Sequence, residues 1–168
     1  MVTKEPAELE IARSLRVSGI CLAVLGVYSC SQWVALFELE PHGVVQPEVF
    51  AASSWVNCAL TGAVALYHAT LRVLRARRAL SPRGLAGLTL ALGVLTQSVW
   101  IYQLHVGGSQ SCNVLMVSVS SLAVFAWLLP AAWLAALAGY TLAGMALVTA
   151  LELGGVLGYV ECSGEILR

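Results

Sequence analysis

The chain has no aspartate, a single lysine and little charge of any kind, since charged residues make up only 11% of its 168 residues. Soluble domains carry about 25% charged residues, so this sequence lacks the side chains that cover an ordinary water-soluble protein. Its nine basic residues are balanced by nine acidic ones, which leaves no overall field to attract nucleic acid. The composition therefore argues against a soluble domain and against a nucleic-acid partner.

Patterns that mark a metal or redox site are also missing. The five cysteines include no Cys-x-x-Cys pair, so neither a thioredoxin-type redox motif nor a paired set of zinc ligands is indicated. Histidine and glutamate do not cluster along the chain in the way that most catalytic sites require. We expect no catalytic residue, no metal ligand and no cofactor.

Long apolar runs, by contrast, are abundant. Residues 114–160 hold a single charged side chain, Glu152, and are apolar all the way round a helix rather than along one stripe. This stretch is about twice the ~20 residues that cross the hydrocarbon core of a bilayer. Hydrophobic residues reach 59% of the chain, against about 45–50% in soluble domains. The sequence therefore predicts an integral membrane protein whose surroundings are the lipid bilayer.

The apolar runs predict an all-α, polytopic transmembrane helical bundle, a single domain over residues 1–168 with about five spans. One helix over the last run would be ~70 Å long, more than twice the hydrocarbon thickness, and Pro130 is the natural place to divide it. Four spans are the alternative, with a re-entrant last segment or one long span kinked at Pro130. The predicted spans are residues 17–37, 49–71, 85–104, 114–129 and 131–157.

Basic residues lie on alternate flanks of these spans. The N-terminal tail carries Lys4, Arg13 and Arg16, whereas the loop between the first two spans has three glutamates and no basic residue. The positive-inside rule therefore places the N-terminus in the cytoplasm, and an odd number of spans leaves the C-terminus outside or in a lumen. Within the tail, residues 7–16 could form a short amphipathic helix with Leu9, Ile11, Ala12 and Leu15 towards lipid; a frayed tail is the alternative.

An arginine cluster follows the second span and is predicted to face the cytoplasm. Each basic residue at an anionic leaflet contributes about 1 kcal/mol of attraction, so the cluster is a candidate contact for acidic lipid or an acidic partner. The alternative is that it only fixes the topology. Its members are Arg72, Arg75, Arg77, Arg78 and Arg83.

Three polar side chains inside the apolar runs are candidates for an intramembrane site. Glu152 is the only acid in such a run, and a carboxylate in hydrocarbon usually faces a cavity, a partner or the interface. It is either a proton or cation site, or it lies among the headgroups because the last span ends beside it. Gln97 and Asn57, together with Gln32, could line a polar pocket if they converge; otherwise they form scattered interhelical hydrogen bonds.

Two cysteines are predicted on the outer side of the membrane, next to span ends. They are Cys112 and Cys162, and a disulfide between them is permitted if that side is oxidising. It would tie the C-terminal tail to the loop between the third and fourth spans. The alternative is a pair of free thiols.

Three functions are compatible with this sequence. The leading hypothesis is a non-enzymatic subunit, chaperone or organiser of a larger membrane complex, with a protein partner or a second copy in the membrane, because short loops and many small residues suit contact between helices. The second is a transporter or channel component that uses Glu152 with Gln97 or Asn57. The third is a lipid-modifying membrane enzyme with His68 and the arginine cluster at the cytoplasmic interface.

Overall fold

A computed structural model describes residues 5–39, 47–77, 81–107 and 112–157, and within these ranges the chain forms five α-helices and no strand. The prediction of an all-α helical bundle is confirmed. The helices are α1 (Glu5–Leu39), α2 (Pro47–Ala76), α3 (Pro82–Gly107), α4 (Cys112–Ala126) and α5 (Ala131–Leu153).

Prolines mark where three helices begin. Pro47 and Pro82 are the first residues of α2 and α3, and Pro130 directly precedes α5. Proline suits these positions because its fixed φ is helical and its missing N–H has no partner in the first turn. At α3, the Ser81 hydroxyl also accepts a hydrogen bond from the Gly84 amide at 3.0 Å, which is the contact of a serine N-cap.

The turn between α4 and α5 contains no charged, hydroxyl or amide side chain, and the amides of Trp127, Leu128 and Leu129 all donate to carbonyls of α4. The amide of Leu129 donates to the Phe125 carbonyl at 2.8 Å, and the Pro130 carbonyl accepts from Trp133 at 3.0 Å. Two helices therefore replace a single long one across this stretch. The fourth predicted span was too long at its end, since α4 stops at Ala126.

The last predicted span was also too long. Helix α5 ends at Leu153 because Gly155 takes a left-handed conformation with φ of 69°, which closes helices and favours glycine. Within the described part of the chain, three helical segments are long and apolar enough to cross a membrane: Glu8–Ala35, Pro82–His105 and Ala131–Leu153. The apolar part of α4, Val114–Ala126, is shorter. Helix α2 carries more polar side chains, including Ser54 and Asn57.

The helices are arranged around α3, which packs against α2, α4 and α5, while α1 packs mainly on α2. Hydrogen bonds between Ser18 and His68 and between Asn57 and Gln32 show that α1 and α2 are antiparallel. We call the end of the bundle where α1 and α3 begin the arginine end. The turn between α4 and α5 lies there too, because its residues Trp127 to Pro130 line one groove with Pro82 and Arg83 at the start of α3.

The core and the surface have the composition expected in lipid. Fully buried side chains include Asn57, Gln97 and Thr89, whereas Val27, Met116 and many other large apolar residues are mostly exposed. Hydrocarbon tolerates exposed apolar side chains but requires polar groups to find partners inside the protein. The apolar helices and this distribution are those of a membrane protein.

The N-terminal tail differs from the surface helix considered for residues 7–16. Helix α1 is continuous from Glu5 to Leu39, so these residues extend it. Ile11 is 6% exposed and joins an apolar cluster with Tyr67 and Leu71 of α2, against which Leu15 also packs. Ile11 and Leu15 thus belong to the core at the arginine end, whereas Leu9 is 65% exposed, as the amphipathic pattern predicts.

Candidate functional site

Glu152 lies one residue before the end of α5, but its side chain is only 1% exposed. It faces α3, where the Nδ1 atom of His105 lies 3.6 Å from its Oε1 atom. That separation suits an ion pair but is too long for a hydrogen bond. The His105 side chain is 32% exposed, so the pair has a buried member and a member that reaches the surface of the bundle.

The carboxylate of Glu152 is unsatisfied. In the ranges that the structure describes, neither of its oxygens has a hydrogen-bond partner, and the Nδ1 atom of His105 has none either. An ionised carboxylate left in this state is disfavoured by several kcal/mol. A buried acid with unfilled hydrogen-bonding positions beside a histidine is the geometric feature on which a polar intramembrane site would depend.

Gln97 occupies a different position, between α3 and α4. Its side chain is fully buried, and its Nε2 donates to Ser121 while its Oε1 accepts from Ser118, both at 2.8 Å. Both functional ends of the amide are thus satisfied by serines of one helix. Such a paired amide holds α3 to α4.

Asn57 lies between α2 and α1. Its Nδ2 donates to the Gln32 amide oxygen at 2.8 Å, and Gln32 in turn donates to the Tyr28 hydroxyl at 3.1 Å. The Oδ1 atom of Asn57 is buried with no partner among the described residues. No hydrogen bond in the described ranges joins Asn57, Gln97 and Glu152 to one another. The polar pocket that they would form together stays a prediction.

His68 contacts a serine that the sequence did not single out. Its Nδ1 atom is 2.9 Å from the hydroxyl of Ser18, which is 4% exposed. This hydroxyl also donates to the Leu15 carbonyl at 3.2 Å. A serine and a histidine at this distance resemble two members of a catalytic triad, but a triad needs a carboxylate to orient the histidine. The described residues place no such acid on His68, so the pair links α1 to α2.

A groove opens at the arginine end between the start of α1, the start of α3 and the α4–α5 turn. Its volume is about 630 Å³. Apolar side chains dominate the lining, and the charged residues are Glu10, Arg13 and Arg83. The sequence could not associate Arg13 with Arg83, because 70 positions separate them and only the packing of α1 on the bundle brings both to one groove.

Three other members of the arginine cluster lie apart from this groove. Arg72, Arg75 and Arg77 are exposed at the end of α2, and Arg78 falls outside the described residues. Of the predicted cluster, Arg83 is the member that lines a cavity. The contact between these arginines and acidic lipid or an acidic partner stays a prediction.

The proposed disulfide lies outside the described residues, because Cys162 is not among them and nothing is described of the Cys112 side chain. Cys21, Cys30 and Cys58 are free thiols. The Cys58 sulfur accepts a hydrogen bond from the Trp33 indole at 3.3 Å, so this thiol packs between α1 and α2.

Across the described ranges, no three histidine, cysteine or acidic side chains group in a way that could hold a metal ion. No protein-family model, curated protein or solved structure matches this chain.

Proposed function

We propose that this chain is a multi-pass membrane protein and a non-enzymatic subunit, chaperone or organiser of a larger membrane complex, binding a partner helix through α5. Its N-terminus and arginine cluster lie in the cytoplasm, and its C-terminus lies outside or in a lumen. The observation that supports the proposal is the surface that α5 turns away from the bundle.

One face of α5 consists only of small residues from Ala132 to Ala150. Successive residues are about 100° apart around a helix, so seven exposed positions fall in one sector about 100° wide. The buried residues Leu137 and Thr141 lie on the opposite side of the helix. The small-residue face comprises Ala132, Ala135, Ala136, Gly139, Ala143, Ala146 and Ala150.

A face of this kind is poorly suited to lipid and well suited to another helix. Large apolar side chains fill the space between a helix and lipid tails, whereas alanine and glycine allow two helix backbones to approach closely. The ideal Cβ position of Gly139 has no atom within 4 Å, so the groove along this face is open. A partner helix, either from another protein or from a second copy of this chain, would bury it.

The test measures how strongly the full chain associates with a partner or a second copy, and how a substitution at Gly139 changes that association. We expect Gly139→Leu to reduce co-purification of a stoichiometric partner, or of a tagged second copy, by roughly tenfold in mild detergent, because loss of about 1.4 kcal/mol is tenfold in affinity. Gly62→Leu is the matched control: Gly62 of α2 is also exposed, and its Cβ position is also open. A monomer without partner, or equal loss in both variants, would remove the proposal.

Topology requires its own experiment. Single cysteines introduced at Arg75 and at Ser163 in a cysteine-free background should react with membrane-impermeant maleimide from opposite sides. Labelling of both from the same side would contradict five spans, whatever the result at Gly139.

A second candidate function is proton- or cation-coupled transport through Glu152. It is supported by the buried, unsatisfied carboxylate 3.6 Å from His105. We expect Glu152→Gln to abolish coupled flux in proteoliposomes while the helical content and the association of the chain stay unchanged. Unaltered flux in Glu152→Gln would exclude this function. It would not affect the proposal that a partner helix binds the small-residue face of α5.

A further inference from the structure

We propose that the groove at the arginine end binds one phospholipid with a singly negative headgroup, its phosphate held by Arg13 and Arg83 and one acyl chain lying on the apolar lining. This site is distinct from the surface of α5 and needs no protein partner. It rests on the topology proposed above, which places this end of the bundle at the cytoplasmic leaflet.

The two arginines are available to a ligand. Both side chains are exposed at the rim of the groove, and among the described residues neither has a carboxylate within 4.0 Å or any hydrogen bond. A planar guanidinium matches the geometry of phosphate oxygens, and two of them from different helices can grip one phosphate from both sides. The site would thus be assembled by tertiary packing of α1 against α3.

Charge at the rim selects the kind of headgroup. Glu10, the third charged residue of the lining, leaves the rim with a net charge of +1. A lipid with one net negative charge, such as phosphatidylglycerol, neutralises it, whereas a zwitterionic lipid leaves the positive charge in place. The negative surface of a cytoplasmic leaflet supplies lipids of the first kind.

The lining below the rim suits an acyl chain. Leu85 and Leu129 are buried at its base, and Leu128 and Ala86 line it as well. Its volume of about 630 Å³ is within the ~300–1,000 Å³ of sites that hold small organic ligands. A free phosphate ion would leave this apolar lining in contact with water, so the lining favours a lipid over its soluble headgroup.

Two tryptophans place the groove at the right depth in the membrane. Trp127 and Trp133 both line it, and Trp127 is 74% exposed. Tryptophan is enriched at the level of lipid headgroups, where its ring is in hydrocarbon and its N–H in water. The rim arginines and these rings therefore lie where a headgroup meets its acyl chains.

Native mass spectrometry of the full chain in neutral detergent tests the proposal with phosphatidylglycerol and phosphatidylcholine as probes. We expect one phosphatidylglycerol to bind with at least fivefold preference. Arg13→Gln and Arg83→Gln should each weaken it roughly fivefold, the equivalent of one basic residue at a lipid surface. Glu10→Gln should strengthen binding, because it removes the negative charge that the described residues of the lining carry.

Arg16→Gln and Arg75→Gln together form the control, since both residues are exposed arginines outside the groove. We expect this pair to change binding less than about twofold. Ala126→Phe, which fills the apolar lining without touching charge, should weaken both lipids. Circular dichroism checks that each variant folds.

Three results would overturn the lipid site. One is equal weakening by the control pair, which would indicate diffuse attraction. Another is equal affinity for the two lipids. The third is full displacement of the lipid by glycerophosphoglycerol, which lacks acyl chains and would indicate a soluble phosphate site. None of these three results depends on the association experiment with Gly139→Leu or on the cysteine-labelling experiment. The lipid site and the proposed function are therefore tested separately.

Discussion

Removing the hydroxyl of Ser118 should destabilise the bundle only when Gln97 is present. The Ser118 hydroxyl donates to the Gln97 amide oxygen at 2.8 Å, and both side chains are almost fully buried. In Ser118→Ala the oxygen of Gln97 loses this donor in a place without water. In Gln97→Leu the amide is gone, so the same serine change removes no partner from it.

The magnitude follows from the number of bonds and their surroundings. Interhelical hydrogen bonds in membranes are worth about 0.6 kcal/mol on average and about 1.7 kcal/mol at most, and an unsatisfied buried acceptor is disfavoured by about 1–3 kcal/mol. We expect Ser118→Ala to lower the free energy of unfolding by about 1 kcal/mol. In Gln97→Leu the Ser118 hydroxyl loses its acceptor, whereas the Ser121 hydroxyl keeps its bond to the Ser118 carbonyl at 2.7 Å. The coupling energy should be about 0.6–1.7 kcal/mol.

Reversible unfolding in mixed micelles, with helicity followed by circular dichroism, measures all four members of this double-mutant cycle. Ser120→Ala is the matched control, because its exposed hydroxyl bonds only to the Met116 carbonyl of its own helix. Its effect should be near zero. A coupling energy below about 0.3 kcal/mol, or an equal effect of Ser120→Ala, would refute the pairing of α3 with α4 through Gln97.

Two further predictions concern packing and stability. A Cβ atom at Gly144 would collide with the side chain of Ile101, so Gly144→Val should lower the free energy of unfolding in the same assay by about 1–3 kcal/mol. Gly139→Val, at an open position of the same helix, should lower it much less. Equal effects of the two variants would contradict the close approach of α5 to α3. Tyr67→Phe removes a buried hydrogen bond of 2.8 Å to the Thr89 hydroxyl. It should lower the free energy of unfolding by about 0.6 kcal/mol, since Thr89 keeps its bond to a backbone carbonyl. A loss above about 2 kcal/mol would mean that the substitution breaks more than this bond.

The helices could be predicted from the sequence because their signals are local. An apolar run longer than 20 residues and a proline at a helix start act within one segment, so α2, α3 and α5 begin within a few residues of the predicted positions. The ends were less accurate, because α5 ends at a left-handed Gly155 inside a run that stays apolar. Where a backbone conformation ends the helix, the apolar run continues beyond the last helical residue, so hydropathy alone places the helix end too late.

The sites depend on which faces meet. In helix α1 the amphipathic pattern assigned Ile11 to lipid, but α2 and α3 cover it, and lipid and a protein core are equally apolar partners. Two long-range pairs show the same limit. Arg13 and Arg83, 70 positions apart, line one groove, and His105 and Glu152, 47 positions apart, face each other. No local sequence signal predicts either pair.

The sequence by itself determined that this protein is helical and belongs in lipid, because hydropathy and proline positions are properties of each segment alone. Only the tertiary structure decided that Glu152 is buried against α3, that Gln97 and Asn57 bond to different helices, and that two arginines share a groove. In hydrocarbon, an apolar face is equally stable against lipid and against another helix, so hydropathy does not determine which face is buried. Those choices depend on the fit of side chains between helices, and that fit is settled only when all five are packed.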